Sequence, residues 1–223
     1  ISCGLALISV VSPMAQDVAG MTANQAAIIV GLMGIFNGFG RLLWASLSDY
    51  IGRPLTCTIL FVVNILMTIS LIFLHAPALF TIAMAVLMTC YGAGFSLIPP
   101  YLSDIFGAKE LATMHGYILT AWGMAALAGP MLLAVIYSAT KSYTSTLVVF
   151  ILLYLFALAI TLCLKSKKEN KDSPGFIFPG NFLSQKHKWI YGLIFLFNLI
   201  IQICSLYGII LGRFRNLSDH LSF

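Results

Sequence analysis

Apolar runs of membrane-spanning length, broken by short polar punctuation, make up the pattern of this chain. A spanning helix needs about 20 mostly apolar residues. Runs of that length occupy residues 23–47, 56–75, 77–101, 112–138 and 144–164. Residues 1–12 are too short to span. They are expected to be the second half of a cut helix that ends in a polar loop from Pro13 to Asp17. Position 1 is Ile rather than Met and the chain opens inside an apolar run, which predicts a fragment. Gly52-Arg53-Pro54, His75-Ala76-Pro77, the stretch from Ser103 to Glu110, and Lys141-Ser142 separate the runs. Connections this short predict an up-and-down bundle of antiparallel neighbours. Pro99-Pro100 is expected to bend or end its helix, and Gly129-Pro130 to kink the next.

Beyond residue 165 the pattern changes. Residues 166–188 are polar and basic, with Pro174 and Pro179, and read as a linker. A last apolar run, 189–211, lies in a hydrophobic tail, 189–223. It reads either as a further span or as out-of-frame translation of AT-rich DNA.

Composition narrows the class. The chain is 60% hydrophobic and 9% charged, with mean hydropathy +0.99, where soluble domains carry about 25% charged residues. A polytopic all-α membrane protein is predicted. The net charge of +5 does not indicate nucleic acid, because the basic residues follow loop sidedness. Alternate loops carry Arg53, Lys109, Lys165, Lys167, Lys168 and Lys171, and the opposite set carries only Lys141. The positive-inside rule then puts segments 48–54, 103–110 and 165–171 in the cytoplasm. The five cysteines, one per apolar segment, have no metal or redox spacing and read as small buried hydrophobes. No intramembrane Asp/His/Glu cluster, Ser/His dyad or metal-ligand set is visible, so neither an enzyme nor a metal or cofactor is expected.

Arg41 is the residue that points to chemistry. It is the one charge between Thr22 and Leu47, where a cation costs from roughly 3 to more than 10 kcal/mol. Substrate or counter-anion binding, a structural ion pair, and hydration near the cytoplasmic mouth are the three readings. No acid occupies the other apolar runs. Asn37 and Gly34 precede Arg41 by one and two turns and share its face. On run 112–138, Tyr117, Thr120 and Met124 form one face, and His115, Leu119, Trp122 and Ala126 another. Trp122 reads as a site wall, lipid-facing residue or core filler. His115 reads as an interfacial histidine, with proton coupling as the alternative. Leu47-Ser48-Asp49-Tyr50-Ile51-Gly52-Arg53 also recurs as Leu102-Ser103-Asp104-Ile105-Phe106-Gly107-Ala108, followed by Lys109. Such an echo suggests the internal repeats of secondary transporters.

These residues carry a resemblance. Ala45 to Pro54 resembles the cytoplasmic loop signature of the major facilitator superfamily, G-x-L-a-D-[RK]-x-G-R-[KR]. It matches at Leu47, Asp49, Gly52 and Arg53 and departs at Ala45, Tyr50 and Pro54. The segments Phe36 to Arg41, Tyr91 to Phe95, Pro100 to Gly107, His115-Gly116 and Thr120 to Gly123 are similar to the oxalate/formate antiporter family, over about residues 1–165. The resemblance implies the carboxyl-terminal six-helix half of a major facilitator transporter, truncated at its first helix, with 144–164 as the last. A missing amino-terminal half, the bilayer, a small carboxylate and a coupling proton would be its partners, and the cytoplasmic membrane its location. Arg41 would pair with a substrate carboxylate, with Asn37, Trp122 and Tyr117 around it. Asp49, Gly52, Arg53 and Asp104 would form an inner gate. Oxalate-specific members place a second cation, a lysine, on the eleventh helix. Run 112–138 has no Lys or Arg, so the expected substrate is a monocarboxylate such as formate, lactate or pyruvate. A non-transporting truncated membrane protein or decayed relic is the alternative.

Overall fold

A computed structural model describes residues 1–73 and 76–169. The linker beyond Glu169, the run 189–211 and His75 lie outside the described residues. Six helices follow in order: α1 Ser2–Ala19, α2 Ala23–Ile51, α3 Arg53–Phe73, α4 Pro77–Phe106, α5 Leu111–Thr140 and α6 Tyr143–Glu169. All six are long and apolar enough to cross a membrane, and no strand occurs among the described residues.

Local chemistry sets the helix ends. Thr22 and Gln25 form a reciprocal capping box at the start of α2: Gln25 N donates to Thr22 Oγ1 at 3.3 Å, and Thr22 N donates to Gln25 Oε1 at 3.0 Å. Pro77 begins α4, where its missing N–H has no helical partner to lose. The echo noticed in sequence is one structure made twice. The Gly52 N–H donates to the Ser48 carbonyl at 3.0 Å, and the Gly107 N–H to the Ser103 carbonyl at 2.9 Å. Both glycines stand at positive φ, 87° and 79°, where a Cβ would be strained.

One expectation about proline needs correction, and a second is narrowed. Pro13 does not end the first helix: α1 continues to Ala19 and stops at Gly20, with φ 62°. The pyrrolidine ring removes the hydrogen bond to the Ser9 carbonyl. The turn beyond it still forms because Met14, Ala15 and Ala19 are buried against neighbouring helices. An 18-residue helix is about 27 Å long, so the element read as half a helix reaches span length. Pro99 and Pro100 likewise lie inside α4, which runs on to Phe106. In a bilayer the alternative is an unpaired backbone, and neighbouring helices hold such turns in place.

With no hydrophobic drive between helices in lipid, association depends on close packing at small residues. α2 and α4 touch backbone to backbone. A Cβ on Gly40 would lie 2.3 Å from the Thr89 carbonyl oxygen, and one on Gly92 2.2 Å from that of Asn37. Trp44 Nε1 donates to Thr89 Oγ1 across the same seam at 3.3 Å. Gly129 lets α5 approach Ser2 of α1 in the same manner. The main core gathers Leu7, Met14, Phe80, Met84, Met88 and Phe150. A smaller cluster of Trp44, Leu60, Cys90, Ala93 and Leu97 fills the end nearer the Asp49 loop.

Candidate functional site

The tight α2–α4 seam fixes what lies on either side of it. Arg41 follows Gly40 on α2 and is exposed. Its guanidinium carbon stands 4.5 Å from the centroid of the Phe95 ring on α4. Phe95 packs edge-on against Trp122 of α5, 4.1 Å between centroids, and against Tyr91 one turn earlier at 5.6 Å. Three helices thus bring one cation and three aromatic rings together. Cation–π attraction is worth about 0.5–1 kcal/mol when exposed and about 2 when desolvated. That is below the cost of a cation at membrane depth, so the ring orients the guanidinium without neutralising it. Among the described residues, the ion pairs all belong to Arg53 and none to Arg41.

Asn37 shares the Arg41 face one turn earlier. Its side-chain oxygen is buried without a hydrogen-bond partner, and it lies 3.0 Å from where a Gly92 Cβ would be. Asn37 is therefore wedged into the seam by the absent side chain of Gly92. Trp122 reaches the cluster through Phe95, as a site wall would. Tyr117 is not shown in it: it is 62% exposed and stands about 140° round α5 from Trp122. Phe95 and Tyr91 are the residues that site reasoning missed. Their i, i+4 aromatic spacing in the glycine-rich stretch Tyr91 to Phe95 was the available signal.

The second set lies at one end of the bundle. Arg53, on the first turn of α3, approaches Asp49 at the end of α2, with Nη2 3.5 Å from Oδ1. Its Nη1 forms an ion pair and hydrogen bond with Asp104 Oδ2 at the end of α4. One arginine therefore joins both copies of the repeated segment. It also supplies the partner that Asp49 needs at a helix C-terminus, where the dipole disfavours a carboxylate. Gly52 closes α2 and turns the chain so that Arg53 falls between the two acids.

A bundle of spans, a repeated Ser-Asp-x-x-Gly helix end and an arginine bridging both copies now stand together. The sequence profile of the Major Facilitator Superfamily matches residues 1–222. The chain belongs to that superfamily. The match continues past residue 165, where the resemblance read from motifs stops. Among curated superfamily relatives, the oxalate:formate antiporter of Oxalobacter formigenes is 30% identical over 128 residues, 56% of this chain and 30% of that protein. Apicoplast pyruvate carrier 2 of Toxoplasma gondii is 32% identical over 93 residues, 41% of this chain and 14% of the carrier. Monocarboxylate transporter 14 of Mus musculus is 26% identical over 147 residues, 62% of this chain and 27% of the transporter. The chain spans under a third of the length of these relatives.

Proposed function

We propose that residues 1–165 are the carboxyl-terminal half of a secondary transporter that moves a small organic anion, a monocarboxylate, across the cytoplasmic membrane by alternating access. The observation that carries this reading is the unneutralised Arg41 guanidinium, aimed by the Phe95 ring with no acid paired to it among the described residues. A site with one cation balances one carboxylate, because uncompensated charge in a low-dielectric setting costs several kcal/mol. The names of the relatives support a small carboxylate substrate: oxalate and formate, pyruvate, and monocarboxylate.

In this reading Trp122 and Phe95 wall the site and Asn37 borders it. Tyr117 would join only by a movement of α5. An amino-terminal six-helix half closes the cavity from the opposite side, with the substrate at the interface of the two halves. Segments 48–54, 103–110 and 165–171 face the cytoplasm. Asp49, Gly52, Arg53 and Asp104 form the inner gate, which locks α2, α3 and α4 together at that end.

Counterflow in liposomes holding the native protein from its own membranes tests the reading. External formate, lactate or pyruvate is expected to exchange with internal labelled monocarboxylate, and oxalate is not. Robust oxalate counterflow would overturn the monocarboxylate assignment. The intact mass of that protein, set against the 24.3 kDa of this chain, reports whether the second half is fused to it.

The gate gives a separate prediction. Asp49 is 68% and Asp104 45% exposed, with Arg53 at 25%, and pairs whose carboxylates are solvated contribute little, about 0.2–1 kcal/mol when fully exposed. Asp104→Asn and Arg53→Gln are therefore expected to leave thermal stability nearly unchanged. Each is expected to slow counterflow by a similar factor, with the double variant no worse than either single one. Additive losses would show that the two side chains do not act as a pair.

A further inference from the structure

At the end of the bundle opposite the Asp49–Arg53 corner, the last turns of α1, α3 and α5 and the first turns of α6 surround an open cleft of about 480 Å³. Asp17 lies about 22 Å along α1 from Ser2, so the wall is built of helix turns far from the start of the chain. The rim carries two exposed charges, Asp17 on α1 and Lys141 in the turn between α5 and α6. The floor is apolar and aromatic. Leu71 and Leu147 are buried there, and the Tyr137 and Tyr143 rings stack with 4.4 Å between centroids.

Neither charge is in an ion pair among the described residues, and both occupy positions that cost the fold something. Asp17 stands in the last turn of α1, where the helix dipole disfavours a carboxylate. Lys141 caps α5 at φ 53°, a left-handed conformation for which glycine is the ordinary choice. The α5 dipole favours a cation anywhere in that last turn, so it does not select the one strained position. The Ser142 hydroxyl accepts the Thr144 N–H at 3.2 Å. That bond spends a donor at the start of α6 and leaves the Lys141 ammonium as the rim's partner for an anion.

A simple anion in this cleft would meet Asp17, and a simple cation would meet Lys141. A molecule carrying both charges satisfies both. The ends of spanning helices lie at headgroup level, where tyrosines concentrate, and a leucine floor suits the start of acyl chains. The volume is in the range of small-molecule sites, about 300–1,000 Å³. We propose that the cleft binds the headgroup of a zwitterionic phospholipid, with its ammonium on Asp17 and its phosphate on Lys141.

Native mass spectrometry of the full-length protein in mild detergent, offered equal amounts of phosphatidylethanolamine and phosphatidylglycerol, tests the proposal. The readout is bound lipid rather than transport, so it stands whatever anion the protein carries. Wild type is expected to retain phosphatidylethanolamine in preference. Asp17→Asn should lower that retention by about two- to fivefold, the effect of one exposed ion pair, without lowering phosphatidylglycerol. Lys141→Gly removes the ammonium and relieves the turn, so it should lose both lipids while its melting temperature, taken without added lipid, does not fall. Glu110→Gln, an exposed charge at the opposite end, should change nothing. Equal retention of the two lipids by wild type, or an unchanged preference in both cleft variants, would overturn the proposal. Displacement of the lipid by free phosphoethanolamine at the same concentration would overturn the bilayer as the source of the ligand.

Discussion

Arg41→Gln is expected to reduce monocarboxylate counterflow to background while the protein still reaches the membrane in normal amount. Glutamine keeps length and hydrogen-bonding capacity but removes the charge. Truncating one partner of a desolvated charge pair costs about 2–5 kcal/mol, a loss of roughly 30- to 5,000-fold. The fold does not depend on this side chain: Arg41 is exposed, and a ring contact at an exposed site is worth about 0.5–1 kcal/mol. Arg41→Lys restores the charge without the planar fork that matches a carboxylate and lies over a ring, so it should recover only a small part of the rate. Phe95→Leu keeps the cation and removes its support, and a loss of about 2- to 30-fold is expected from the cation–π magnitude alone. Counterflow against internal labelled lactate, with protein quantified in each preparation, measures all three. Wild-type rates in Arg41→Gln would remove Arg41 from the site.

The second large effect belongs to folding. Gly40→Ala and Gly92→Ala each add one methyl group where the facing atoms are backbone: Thr89 at 2.3–2.7 Å and Asn37 at 2.2 Å from the added carbon. Overpacking a core typically costs about 1–3 kcal/mol when side chains can yield. Here no side chain can move aside, so α2 and α4 must separate over several turns and lose contacts along the seam. Loss of more than about 3 kcal/mol is expected, seen as a collapsed melting temperature in detergent or as little protein in the membrane. Gly94→Ala is the control, because its nearest neighbour beyond the helix, the Trp122 ring, would be 3.9 Å away. Equal stability of Gly40→Ala and Gly94→Ala would show that the seam is looser than described.

Much of the architecture was legible because a membrane imposes a length rule. The runs 23–47, 56–75, 77–101, 112–138 and 144–164 became α2 to α6, with α2 and α4 extended at their ends, α3 at its start, and α5 and α6 at both. The extensions follow from polar residues that propensity reads as loop and caps accept as helix, such as Ser48 to Ile51 and Ser103 to Phe106. As helix ends, the prolines were overread. Pro13, Pro99 and Pro100 are helix breakers in isolation, but buried neighbours and the lack of competing water keep their helices continuous.

The site was legible in part. Composition and periodicity singled out Arg41 because one charge in an apolar run is costly whatever surrounds it. Asn37 was placed beside it by helical spacing alone. Phe95 was not reached from Arg41, since 54 positions separate them and no local rule links a cation on one helix to a ring on another. The Asp49–Arg53 pair was accessible from i, i+4 spacing, whereas the bond from Arg53 to Asp104 depends on two helix ends meeting in space.

By itself, then, the sequence determined that this chain crosses a membrane with helices, where those helices lie, and that one cation is placed at depth. Those are consequences of transfer free energy and backbone hydrogen bonding, which act locally. Tertiary structure alone decided that Gly40 and Gly92 bring α2 onto α4, that the seam aims Arg41 at Phe95, which packs on Trp122, and that Arg53 joins the two repeated ends. Helix partners in lipid are chosen by shape at contacts dozens of residues apart, and no local pattern of apolar and polar positions encodes that choice.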